Sequence, residues 1–210
     1  MSAAAPPAAS GEPAAAGGLI YAFEGLVPVV HPSAYVHPTA VLIGDVIVGA
    51  GCYVGPGAVM RGDFGRIELR SGANLQDNCV VHSRGDVDCV MEEDSHVGHG
   101  AVIHACRIGR DSLVGMNAVV MDMAQVGEQA VVAAMSFVKI RDVVAPRTLV
   151  AGIPARYVRD LTEGNVQGKQ NGTRMYQDLA RRSLAGLRPA LPLTEMEPER
   201  KRNDWSGYSF

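Results

Sequence analysis

Aromatic residues make up only 5% of this 210-residue chain, with one tryptophan, six tyrosines and four phenylalanines. That scarcity argues against a helical core packed with Phe and Leu and favours many short strands rich in valine and glycine. No run of about eighteen apolar residues occurs, which excludes a membrane-spanning helix. Positive charge is also lacking: a net charge of −3 leaves no electrostatic footprint for nucleic acid. The four cysteines, Cys52, Cys79, Cys89 and Cys106, form no CxxC pair, and no secretory-type leader with a basic start and an apolar run is visible. Reduced thiols in a cytoplasmic protein are therefore expected.

What the chain has instead is a clock. An aliphatic side chain recurs at every sixth position through Val30, Val36, Leu42, Val48, Val54 and Met60. The count slips by three and resumes at Leu69, Leu75, Val81 and Val87. A ten-residue step reaches Val97 and Ile103, a five-residue step reaches Ile108, and the pattern then runs unbroken to Val150. Four residues after these positions the chain usually places something small, such as Ala40, Cys52, Ala58, Cys79, Ala101, Ala118 or Ala130. Glycine often follows the aliphatic directly, as at Gly49, Gly55, Gly98 and Gly115, where a turn would need backbone freedom.

Neither a helical period nor plain alternation generates six. A parallel β-helix does: each hexad makes one short strand and a corner, and three hexads close a triangular coil. This is the hexapeptide-repeat pattern. The resemblance covers residues 28 to 158 and implies left-handed winding, about seven coils, and association as a homotrimer. The expected organisation is an Ala/Pro/Gly tail over 1–18, the left-handed β-helix over 19–158, a C-terminal helical segment over 159–190 and a flexible tail over 191–210. In the helical segment, Met175, Tyr176, Leu179, Leu184 and Leu187 form the apolar stripe.

Counting hexads in threes sorts side chains onto faces. A first face collects Leu42, Met60, Val81, Ile103, Val120 and Val138; a second collects Val36, Val54, Leu75, Val97, Val114, Val132 and Val150. His82 and His104 each directly follow their aliphatic on the first face in successive coils, so they should stack about 4.8 Å apart. Arg61 occupies the equivalent place one coil earlier. His99 lies on the second face above Asp77. If a neighbouring subunit brings its second face to this first face, His82 and His104 of one chain meet His99 of the next. Three neutral imidazoles with an open fourth position suit Zn²⁺, with Fe²⁺ or Co²⁺ as alternatives. His96 ends the insertion DCVMEEDSH, matches no ladder, and is expected as a solvated loop residue. His31 and His37 read as polar groups in turns.

The motifs RGDFGRI at 61, NLQDN at 74, His82 and the HxxxxH of His99 and His104 resemble the γ-class carbonic anhydrase-like family. That resemblance implies zinc held between subunits by His82, His99 and His104, and an interface ion-pair network of Arg61, Asp63 and Asp77. It also implies a metal pocket lined by Asn74 and Gln76, with Tyr176 filling a further pocket position. Longer matches, including EGLVPVVHPSAYVHPTAVLIGDV and GTRMYQDLARRSLAGL, resemble the family's phenylacetate-degradation branch; a relative from carnitine metabolism is also similar. The branch implies a metal-dependent thioesterase acting on hydroxyaryl-acetyl-CoA. CO2 hydration, acyl transfer and a non-catalytic scaffold role are the alternatives. Phe64 stands where the carbonic anhydrases carry a glutamate, which argues against fast proton export; Glu92 and Glu93 are candidate substitutes. Arg181 and Arg182 are candidates to meet CoA phosphates.

Overall fold

The computed structural model describes residues 18–208. Most of the expected 1–18 tail lies outside them. The chain winds as a left-handed parallel β-helix of about seven turns, followed by one helix. Three ladders of stacked strands form the prism. On the second face the ladder runs Tyr35–Val36, Tyr53–Val54, Asn74–Leu75, His96–Val97, Leu113–Val114, Val131–Val132 and Thr148–Ala151. The first face stacks Val41 on Val59, Val80, Val102, Val119 and Phe137 in one outward column. Adjacent residues of the same strands, Leu42, Met60, Val81, Ile103, Val120 and Val138, point inward and are buried.

The interior follows from the clock. Small residues sit at the tight positions between aliphatics, and Ala40, Cys52, Ala58, Cys79, Ala101 and Ala118 are all fully buried. Burial pushes the Cys52 thiol up to about 12 and the Cys79 thiol up to about 11, so both stay protonated and inert as nucleophiles. The glycines after the aliphatics have a different reason from the one expected. Gly98 does not adopt positive φ; a Cβ there would come within 2.9 Å of the Met116 backbone nitrogen in the next coil. Close approach between coils therefore requires glycine at this site. The left-handed backbone falls further along each corner, for example at Gly100 (φ 71°) and Asn117 (φ 55°).

One hexad position is corrected. Between Val81 and Val97 the interior position belongs to Met91, not Val87: Cys89–Met91 is the strand, stacked under Arg107–Ile108, and Met91 is fully buried. The extra residues form a tight outward loop at Ser83–Asp88, closed by an antiparallel bridge between Arg84 and Val87. The physical reason is that a ladder strand needs the alternation of its neighbours, and Cys89-Val90-Met91 supplies it while the Gly85-Asp86 turn does not.

The last strand, Arg156–Asp160, pairs antiparallel with Thr148–Ala151 and straddles the boundary expected at residue 158. The helix spans Glu163–Gly186 and starts with a reciprocal cap between Thr162 and Asn165. Its buried positions are Val166, Lys169, Thr173 and Ala180, with Tyr176 and Leu179 packed on Tyr35, Tyr53 and Ala180. The expected stripe is thus rotated, and Leu184 and Leu187 are exposed. The rotation arises because the helix docks on the tyrosines and polar groups of the second face, which demand polar as well as apolar partners. Arg181 pairs with Asp178 at 2.8 Å, and Arg182 stacks over Trp205 with its guanidinium carbon 4.3 Å from the ring centroid.

Met91→Ala should cost about 2–5 kcal/mol of unfolding free energy, as for other large-to-small core changes. Val87→Ala should stay within about 0.5 kcal/mol. Urea denaturation of the two variants checks this register; comparable losses would contradict it.

Candidate metal site

The backbone ladder places Arg61, His82 and His104 at equivalent positions in three successive coils. His82 Nδ1 lies 3.1 Å from His104 Nε2, with ring centroids 5.1 Å apart. The outer nitrogens each meet a carboxylate: His82 Nε2 is 3.1 Å from Asp63 Oδ1, and His104 Nδ1 is 3.1 Å from Asp122 Oδ2. Ionised carboxylates only accept, so these outer nitrogens carry the protons. In the neutral rings the two facing nitrogens are then both lone pairs. Such a pair needs a proton or a cation between them. For comparison, two nitrogens on one tetrahedral zinc with Zn–N of about 2.0–2.1 Å are about 3.3 Å apart. The donor set therefore fits a divalent ion of the zinc type.

Two arginines hold the carboxylates. Arg61 Nη1 donates to Asp63 Oδ2 at 2.6 Å, and Arg84 Nη1 lies 3.5 Å from Asp122 Oδ1. Burial works to raise the Asp63 carboxyl, but hydrogen bonds from Arg61 and His82 outweigh it and leave the group below its ordinary value. At Asp122 burial is likewise outweighed, by its own backbone N–H, His104 and Arg84.

His99 sits in the corner after the second face. Its Nδ1 lies 2.8 Å from Asp77 Oδ2, and its Nε2 is 3.3 Å from the Tyr176 hydroxyl. It too is a carboxylate-paired imidazole, but its other nitrogen accepts from the Tyr176 hydroxyl, which an ion there would displace. Within one chain it does not join His82 and His104, and the described residues assemble no three-ligand set by themselves. The helix lies over Tyr35–Val36, Tyr53–Val54 and Asn74–Leu75 of the second face. The half-exposed corner at His99 is thus the part available to a neighbour, not the whole open face.

Asn74 and Gln76 are buried beneath this helix. Gln76 Nε2 donates to Asn74 Oδ1 at 3.0 Å and lies 2.6 Å from His96 Nε2. In the single chain Gln76 supports His96, Asn74 Nδ2 is buried without a partner, and neither amide opens to solvent. His96 itself is a correction: it is no solvated loop residue. It occupies the second-face ladder between Asn74 and Leu113, packs edge-on against Tyr176 with centroids 5.3 Å apart, and its Nδ1 is buried without a partner. His96 stands one place before Val97, as Asn74 does before Leu75, and with the insertion at Ser83–Asp88 it belongs to a ladder strand and not to the inserted loop. Asp122 and Arg84 were also missed: one coil past His104 the ladder position is Met121, and Asp122 stands one place beyond it at the corner, where the count of sixes assigns no partner. Glu92 is engaged by Arg107 and the Arg110 backbone, and Glu93 lies 3.8 Å from Arg110. Phe64 is exposed, with its ring 5.2 Å from that of His82. His31 and His37 cap their own turns through Ser33 and Thr39.

This chemistry sits on a known scaffold. Residues 28–62 match the family described as bacterial transferase hexapeptide (six repeats). A putative acetyltransferase of Bacillus cereus superimposes with a TM-score of 0.78 at 28% identity, covering 80% of this chain and 97% of its own. A hexapeptide transferase family protein from Anaplasma phagocytophilum gives 0.75 at 36% identity, covering 78% and 96%. The chain belongs to the hexapeptide-repeat transferase family. Within it, the chain is similar to the carnitine operon protein CaiE: 56% identical over 183 residues to that of Proteus sp. (strain LE138), covering 87% of this chain and 93% of that protein. The Citrobacter koseri CaiE is 59% identical over 182 residues, covering 87% and 92%. Both relatives are named for a carnitine operon, the second of the two branches the sequence motifs resemble, and not for the phenylacetate branch.

Burial holds the His96 ring neutral by pulling its pKa down to about 3, with the Lys169 and His99 charges adding to the effect. The unfolded ring protonates near 6.5, so the unfolded state binds the extra proton between about pH 6.5 and pH 3, and stability falls as pH falls through that window. At pH 5 this single group accounts for about 2 kcal/mol of the loss relative to pH 8. Urea midpoints for wild type and His96→Gln should show a shallower acid-side decline in the variant; parallel declines would refute the assignment.

Proposed function

We propose that the chain is a metal-dependent enzyme acting on CoA thioesters, with water as the acyl acceptor. His82 and His104 of one subunit would hold Zn²⁺, or alternatively Fe²⁺ or Co²⁺, together with His99 of a second subunit in a homotrimer. The observation that carries this reading is the pair of bare imidazole nitrogens facing each other at 3.1 Å while both outer nitrogens rest on carboxylates. The outward column Val41, Val59, Val80, Val102, Val119 and Phe137 supports the assembly. It is an uninterrupted apolar strip beside the histidines, suited to burial against another copy.

A bound zinc ion supplies a Lewis acid and lowers the pKa of its water toward ~7. The residues of this chain do the rest. Burial, with the Asp77 charge, pushes the Tyr176 hydroxyl up to about 12, so it stays a proton donor; in the metal-free chain it donates to His99 Nε2, and once an ion took that nitrogen it would be free to donate to a thioester carbonyl oxygen. Gln76 and Asn74 fix His96, against whose ring Tyr176 packs. Phe64 offers an apolar wall next to His82 for an acyl chain and no carboxylate for rapid proton export. The carnitine-operon relatives favour an acyl group from carnitine metabolism over an aryl-acetyl group.

Acyl transfer from CoA to a second acceptor is the other reading, favoured by the family description and by the putative acetyltransferase of similar fold. One experiment separates them. Thiol release from acetyl-CoA, the CoA thioester of carnitine and hydroxyphenylacetyl-CoA is followed with zinc-loaded protein, chelated protein and His104→Ala. Hydrolysis of the carnitine thioester that drops to background in both controls is the expected result. Release that requires an added amine or alcohol would establish transfer. No release with zinc still bound stoichiometrically would leave CO2 hydration as the chemistry to assay.

A further inference from the structure

The six side chains Arg61, Asp63, His82, His104, Asp122 and Arg84 form one continuous column across the corner between the first and third faces. Its lower end is foreshadowed by the RGD motif. Its upper end is assigned by no motif. Asp122 is almost fully buried, and equivalent corner positions in the flanking coils carry Ala105 and Ile140, so an acid occurs there only in the coil directly above His104. Arg84, its partner, comes from the Ser83–Asp88 loop two coils below. That loop interrupts the repeat and contributes nothing to the buried core beyond Ser83.

We propose that Asp122, supported by Arg84, is the positioning residue for His104: it fixes the ring as the Nδ1–H tautomer and so presents the bare Nε2 to the ion. This rests on the metal reading above for its purpose, but the tautomer it dictates is a property of the metal-free protein. The argument is one of donors and acceptors. An ionised carboxylate has no proton to give, so the nitrogen 3.1 Å from Asp122 Oδ2 must be the donor. Asp63 imposes the same rule on His82 from the other side. An asparagine at 122 lifts the rule, because its amide can donate to a bare Nδ1. Arg84, 3.5 Å from the other carboxylate oxygen, holds the group in place. The competing role for Asp122 is to cap its own turn through its backbone N–H, which would make it structural only.

The test compares wild type, Asp122→Asn, Asp122→Glu and Arg84→Ala, all as full-length protein. Zinc affinity is measured by competition with a chromophoric chelator, thermal stability is measured with chelator present, and the His104 tautomer is read from ¹⁵N-histidine NMR of metal-free protein at pH 8.5. Asp122→Asn should bind zinc about 10–100-fold more weakly, the range for loss of a group that orients a metal ligand. Its metal-free melting temperature should match wild type, and the Nε2–H form of His104 should emerge. Asp122→Glu should recover part of the affinity, and Arg84→Ala should lose less than Asp122→Asn. Unchanged zinc affinity in Asp122→Asn would overturn the proposal, as would a loss of affinity matched by an equal loss of metal-free stability. If wild type binds no zinc, the metal reading falls, and the NMR still decides: Nδ1–H in wild type that is lost in Asp122→Asn upholds the positioning role, and Nε2–H in wild type refutes it.

Discussion

Everything in this molecule hangs on the hydrogen-bonded register between one coil and the next. Each strand is too short to be stable alone, but every ladder residue finds its counterpart one coil away, so position in the sequence is converted into position along an axis. Residues separated by about a coil in sequence become neighbours. That is how His82 comes to stand beneath His104, and how the carboxylates of Asp63 and Asp122 come to bracket them from below and above. No loop needs to fold back to assemble these groups. The rigid ladder sets the spacing, and the side chains merely occupy it.

Repetition also explains how much of the site could be read in advance. The first-face ladder of Arg61, His82 and His104 and the placement of His99 above Asp77 follow from counting sixes, because the aliphatic residues that set the count are the same ones that fill the core. The failures arose where the count breaks. All three interruptions, after Met60, Val81 and Ile103, fall at one corner in successive coils, and that corner carries the histidine column. Misplacing the second insertion put Val87 in the core, sent His96 into solvent and hid Arg84 in an anonymous loop. The residue content of an inserted loop carries no period, so only the backbone could say that Arg84 reaches back to Asp122.

The helix is the other element that sequence described incompletely. Its existence and rough extent follow from its pattern, but its rotation does not, since that depends on what the second face presents. The face presents Tyr35, Tyr53, Asn74 and His96 as one outward column, and the helix answers with Tyr176, Thr173 and Lys169. Lys169 reaches the buried Asp111 at 2.8 Å and the Asp94 carbonyl at 2.5 Å. Such a polar seam gives the helix a single seating, because sliding it would strand a buried ammonium. Tyr176 is thereby held at His99 from a distance of 77 residues in sequence.

The reversed direction of Arg156–Asp160 has a consequence for the molecule as a particle. A stack of parallel coils is in principle endless, since its open end is a template for the next coil, from the same chain or another. Here one of the three growing edges is closed by a strand of opposite polarity with every residue exposed. A further coil would have to extend three sheets together, and it cannot extend two. The protein thus carries a built-in length limit, set by a single hairpin at residues 148–160, against threading head to tail into fibres.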